Sequence, residues 1–252
     1  EYNGFRQGDL VYECVDPGKL WKISYKGFID EQNPGETISI DLIWKADDSI
    51  LDFGVEGVNY ENTARQIAAQ KWSSRFFTEL KGLGKAHYEQ KGVLSGTVKY
   101  KGKTYEPELT GVRDHSFGTR DWRKWDRHMW LVGVLDDGRL FNISAINYTF
   151  ITNLKAGFIE EIGQPDTTIY SSPGLDEAIG NPALPKKLNF DIVKVKEGAK
   201  APVKVNMKQF FPFMMDGVYH IRQAVAEFEI DGVGGQGIAE MGLNTTHYPD
   251  VI

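Results

Sequence analysis

Apolar residues alternate with polar ones along most of this 252-residue chain, and the runs are broken by short turn signals rather than by helices. The stretch "MWLVGVLDDGRLFNISAINYTF", Met129 to Phe150, is the clearest case, with apolar runs on both sides of Asp136-Asp137-Gly138. Such a turn between alternating segments predicts a hairpin. "DLVYECVDPGKLWKISYKGFID" repeats the pattern around Asp16-Pro17-Gly18, and "ETISIDLIWKADD" reads as a half-buried strand. "HYEQKGVLSGTVKYKGKTYEPELTGV" gives two strands joined at Lys101-Gly102-Lys103, and further strands are expected at Leu188–Val195, Val203–Phe210 and Tyr219–Ile230. Only Glu61 to Leu80 changes period. There Ala64, Ile67, Ala68, Trp72, Phe76 and Leu80 recur at helical spacing, so one substantial helix is expected near 61–80, with Asn62 as its N-cap. Without a βαβ rhythm a parallel doubly wound sheet is excluded, and the fold class is mainly β, in antiparallel sandwiches or barrels.

Composition narrows the function classes. A formal net charge of −6 repels phosphate backbones and anionic surfaces, so no nucleic acid partner is expected. No apolar run approaches the roughly 18 residues needed to cross a bilayer, so no membrane span is expected. Cys14 is the single cysteine and cannot form an intrachain disulfide, which leaves cytoplasmic and secreted locations both open. A homo-oligomer is compatible with everything above.

The densest chemistry lies in "GVRDHSFGTRDWRKWDRHMW", from Gly111 to Trp130. Arg113, Asp114, His115, Arg120 and Asp121 alternate in sign and can neutralise one another when partly buried. A histidine beside a carboxylate titrates near neutrality, and a carboxyl kept protonated by apolar neighbours donates a proton. Phe117, Trp122, Trp125 and Trp130 supply the apolar material. The competing reading is structural: arginine and aspartate pair as staples, and the indoles pack. His115 and His128 stand thirteen apart without a clustered second ligand, and neither HExxH nor a paired CxxC occurs, so no metal and no cofactor is expected. "GVGGQG", from Gly232, matches neither GxGxxG nor a Walker loop and reads as a bulge or turn.

"GVRDHSFGTRDW" resembles the Asp-His-x-Trp/Phe-Gly signature of the carotenoid 1,2-hydratase (hydroxyneurosporene synthase) and AttH-like superfamily. Together with "HYEQKGVLSGTVKYKGKTYE" and "GQGIAEMG", it is also similar to the lipocalin-like region of animal phosphoenolpyruvate synthase-like (rifampicin phosphotransferase-like) proteins. The resemblance implies two antiparallel lipocalin-like (calycin) β-barrels packed side by side, here residues 1–112 and 113–252. It also implies an apolar pocket for a hydrophobic small molecule such as a carotenoid, retinoid, terpenoid or related pigment. Some members of such a group hydrate or cyclise an isoprenoid-like substrate by acid catalysis. In an enzyme of that kind, a hydro-lyase or cyclase, Asp114 would be the acid and His115 its tuning partner. Ligand contacts would then come from Arg113, Phe117, Arg120, Trp122, Trp125, Tyr105 and Trp130. The third possibility is a non-catalytic regulatory domain of a larger phosphotransferase-like protein. Glu240 falls on the late acidic position of the pattern, with no role beyond that of a partner for Arg113 or Arg120.

Overall fold

The computed structural model describes residues 3–29, 35–47, 50–52, 59–82, 86–118, 120–160, 167–180 and 184–250. The fold is mainly β, as the alternation predicts. Two compact units share the chain: Glu1–Ile50 with Glu89–Asp114, and Leu51–Tyr88 with His115–Ile252. This grouping and the division expected at residue 112 part company over 51–88. No helix among the described residues is long and apolar enough to cross a membrane.

The first unit is an antiparallel sheet. It begins with β1 (Gly4–Gln7), β2 (Leu10–Asp16), β3 (Leu20–Phe28) and β4 (Thr37–Ala46). After β5 (Leu51–Asp52) and the helices, the chain continues as β6 (Ala86–Tyr100), β7 (Lys103–Tyr105) and β8 (Glu108–Phe117), of which residues 89–100, 103–105 and 108–114 fall in the first unit. Strand order is β1-β2-β3-β4-β6, with β7 and β8 also paired to β6. The Asp16-Pro17-Gly18 turn joins β2 to β3 as expected, and Lys101 and Gly102 both take positive φ in the two-residue β6–β7 turn. On one face Trp21 lies opposite Trp44, and Ile23 opposite Leu42. Lys22, Ser24 and Asp41 occupy the other face, which is the period-2 alternation seen in the sequence.

Helical structure falls where the 3.6 period places it, in two pieces: α1 (Tyr60–Ala69) and α2 (Ser74–Lys81). The break has a local cause. Ser73 Oγ accepts the Phe76 N–H at 3.0 Å and starts a new helix, while Trp72 Nε1 donates to Ile67 O at 2.8 Å across the end of the old one. The N-cap of α1 is Asn59 rather than Asn62; the Asn62 N–H donates to Asn59 Oδ1, and Asn62 Oδ1 instead accepts the Lys155 N–H.

In the second unit eight strands close on themselves. These are β9 (Trp125–Leu135), β10 (Leu140–Tyr148), β11 (Leu154–Glu160), β12 (Thr167–Ser171), β13 (Lys187–Lys194), β14 (Lys200–Met215), β15 (Tyr219–Ile230) and β16 (Val233–Asn244). They pair in chain order, and β16 returns to β9. Inward residues such as Leu131, Phe141, Ile143, Ile192, Val203, Ala239 and Met241 pack into one buried cluster with α3 (Leu175–Ile179). Burying a side chain of Leu, Ile or Phe size stabilises by about 1.5–3 kcal/mol, and this interior supplies many of them. At the closing seam Gly133 stands opposite Gly237, where the two backbones pass so close that a Cβ on either would strike the facing strand.

Candidate functional site

Because neighbours on a strand alternate faces, the residues between the inward ones point to the outside of the barrel. On β9, β15 and β16 that outward set includes His128, Tyr219, Gln223 and Glu240. Register brings it together: His128 is opposite Gly242, and Gln223 is opposite Glu240. A side chain at Gly242 would collide with both the His128 and Tyr219 rings, so the glycine makes the room they occupy. The two rings stack at an interplanar angle of 13°.

The hydrogen bonds form a single chain. His128 Nδ1 is 2.6 Å from Tyr219 Oη, and His128 Nε2 is 2.7 Å from Glu240 Oε1. Gln223 Nε2 donates to the other oxygen, Oε2, at 2.7 Å. Tyr219 is fully buried, and the His128 and Glu240 side chains are only 5% and 15% exposed. Burial pushes the Tyr219 phenol well above its ordinary value, with the Glu240 charge adding to the effect. The phenol therefore keeps its proton and shares one hydrogen bond with Nδ1, while Nε2 faces Glu240. Burial pushes Glu240 up, but the hydrogen bond and charge of His128, the Gln223 amide and the Arg120 charge outweigh it and hold the carboxyl below the usual range. Glu240 is a nearly dry carboxylate fixed by two donors.

Aromatic rings enclose this chain. Trp125 meets His128 edge-on at 5.5 Å, Trp122 lies 4.9 Å from Trp125 and 5.3 Å from Tyr219, and Tyr148 is 5.3 Å from Trp125. Burial pushes the Tyr148 phenol up to about 12 against the opposing charge of Arg120. Arg120 donates to Ser116 Oγ at 2.6 Å, and its guanidinium lies 5.7 and 5.6 Å from the Trp122 and Trp125 rings. A 3-10 turn, Trp122–Lys124, capped by the Asp121 side chain, sets the two indoles side by side.

Of the residues singled out in the sequence, Arg120, Trp122 and Trp125 therefore belong to this cluster, and Trp130, half-buried, sits opposite Glu240 in the β9–β16 register. His115 stacks on Tyr88 at 5.1 Å and meets Phe117 edge-on; Phe117 itself is exposed. Arg113, Asp114 and Tyr105 belong to the first unit, where Arg113 lies 4.6 Å over the Trp21 ring while Asp114 and Tyr105 are exposed. Tyr219, Gln223 and Tyr148 carry no motif of their own in the sequence, which offers His128 only as a metal ligand and Glu240 only as a partner for Arg113 or Arg120; of those two arginines, Arg120 is the one whose charge acts on Glu240. The available signal was a histidine and a glutamate on the outward parity of strands whose inward parity carries Met129, Leu131, Ala239 and Met241.

Two solved structures share this fold. A protein designated AttH from Nitrosomonas europaea superposes with a TM-score of 0.63 at 11% identity, over 95% of this chain and 69% of its own. Kievitone hydratase from Nectria haematococca does so with a TM-score of 0.56 at 10% identity, over 97% of this chain and 71% of its own. The fold is thus shared with these two proteins. Residues 2–245 match the family model described as a domain of unknown function, DUF7064, and the chain belongs to that family. No curated protein matches the sequence.

Proposed function

We propose that this protein is a hydro-lyase that adds water to, or removes it from, an activated double bond of an apolar small molecule, with Glu240 as the general base. The observation that carries this reading is the Tyr219–His128–Glu240 chain, a carboxylate held ionised in a nearly dry, aromatic-walled setting with Gln223 fixing its second oxygen. In the forward step Glu240 takes a proton from water as the oxygen bonds to the β-carbon of an enone. The alkene electron pair moves towards the carbonyl oxygen, and the Arg120 cation stabilises the resulting enolate. The α-carbon is then protonated by Glu240, which returns the carboxylate. General-base catalysis of this kind contributes about 10²–10⁴ in rate. The shared fold with a hydratase supports the reaction class.

Asp114 fits the acid role implied by the family signature less well, because it is exposed, whereas a carboxyl kept protonated needs apolar surroundings. A closer kinship to carotenoid 1,2-hydratases rests on Asp114, His115, Phe117 and Gly118, and one to the lipocalin-like region of phosphotransferase-like proteins on these with "HYEQKGVLSGTVKYKGKTYE" and "GQGIAEMG". A second reading, binding of a carotenoid, retinoid or terpenoid without turnover, is favoured by the contiguous rings of Trp122, Trp125, Tyr148 and Phe150.

The test is incubation with a panel of α,β-unsaturated ketones in ¹⁸O-water, followed by mass spectrometry. The native protein should incorporate label, and Glu240→Gln should lower the rate about 100-fold or more while the protein stays folded. Stoichiometric ligand capture with no label, or an undiminished Glu240→Gln, would transfer the case to the binding reading.

A further inference from the structure

The first unit carries a pair of buried donors that its own fold does not use. Trp21 on β3 and Trp44 on β4 are register partners, so their side chains leave the same face of the sheet as neighbours. Both are buried, 9% and 6% exposed, and neither indole Nε1 has a hydrogen-bond partner among the described residues. An indole N–H is a donor only, and burying one without an acceptor forfeits the bond it made to water. Two in register on one face forfeit it twice. Around them the face is apolar: Cys14 and Leu94 continue the Trp21–Trp44 row, and Tyr12, Ile23 and Leu42 form the next. Its rim is open, with Phe5 57% exposed and stacked on Trp21 and Tyr12 38% exposed. Arg113, over the Trp21 ring, places a positive charge beside the same indole.

We infer that this face of the first unit binds an apolar, ring-bearing small molecule through a carbonyl oxygen that accepts from the indole N–H groups of Trp21 and Trp44. Phe5 and Tyr12 cover the ligand's rings, and the neighbouring guanidinium favours the partial negative charge of the oxygen. The inference does not rest on the hydro-lyase reading, since it concerns the other unit and needs no turnover.

Chalcone and stilbene make the test, because they share two phenyl rings and an alkene but only chalcone has a carbonyl. Titrated into the full ¹⁵N-labelled chain, chalcone should move the assigned indole N–H resonances of both Trp21 and Trp44 downfield. It should also bind about tenfold more tightly than stilbene, and Trp44→Phe should remove most of that difference. Equal affinities for the two compounds would overturn the inference. So would chalcone shifts confined to the other four indoles, a result that needs no variant to fold. Failure of hydration with both indoles shifted would leave this site standing and remove only the hydro-lyase reading.

Discussion

At Tyr219 a single hydroxyl holds the imidazole of His128 and, through it, the ring nitrogen that Glu240 faces. Tyr219→Phe keeps the ring and deletes the hydroxyl, leaving buried Nδ1 without its Tyr219 partner, so it should destabilise the chain by about 1–3 kcal/mol in urea unfolding at neutral pH. An unchanged midpoint would mean that the phenol does not support the imidazole. Glu240 adds a pH dependence of definite sign. Its folded pKa lies below the ordinary 4.5, so its contribution is complete above that value and is lost as pH falls through the folded pKa. Urea midpoints recorded from pH 7 down to pH 3 should therefore drop more steeply below about 4.5 in the native chain than in Glu240→Gln. The sequence drew attention to Asp114 and His115, which are adjacent and conspicuous. It could not join His128 to Tyr219 and Glu240, 91 and 112 residues further on, because only strand register makes those three neighbours.

Among the elements, hairpins were the most legible, since both turn chemistry and flanking alternation announce them. The β2–β3, β6–β7 and β9–β10 turns all fall where Asp-Pro-Gly, Lys-Gly and Asp-Asp-Gly place them. β11 and β12 were missed because "LKAGFIE" and "TTIYS" are short and lie next to or within a proline-bearing polar stretch. The helix over 61–80 was read as continuous because its apolar period runs through Trp72, whereas the Ser73 cap interrupts the backbone but not the period. Glycine is the other element-scale determinant. Gly237→Val would press a side chain into the Val132 carbonyl at the seam and should cost about 3 kcal/mol, with a matching fall in Tm. Gly102→Ala, at a turn with positive φ but open space around it, should cost only about 1 kcal/mol.

Over the whole molecule, the mainly β class followed from the absence of any strand–helix alternation, but the assignment of segments to units did not. Residues 51–88 join the second unit through contacts made far along the chain, such as the Phe76 ring against Phe150 and the Lys155 N–H on Asn62. Phe76→Ala should accordingly weaken the second unit by about 3 kcal/mol, seen as an earlier loss of near-ultraviolet tryptophan signal from Trp122 and Trp125 on heating. The closed β9–β16 ladder has one more consequence. A ladder that returns on itself offers no free row of amides and carbonyls, so other chains cannot extend it strand by strand. At the β1 edge of the first unit's sheet the same extension is discouraged by other means, because β1 is four residues long and bears Arg6, a poor template even at crowded concentrations.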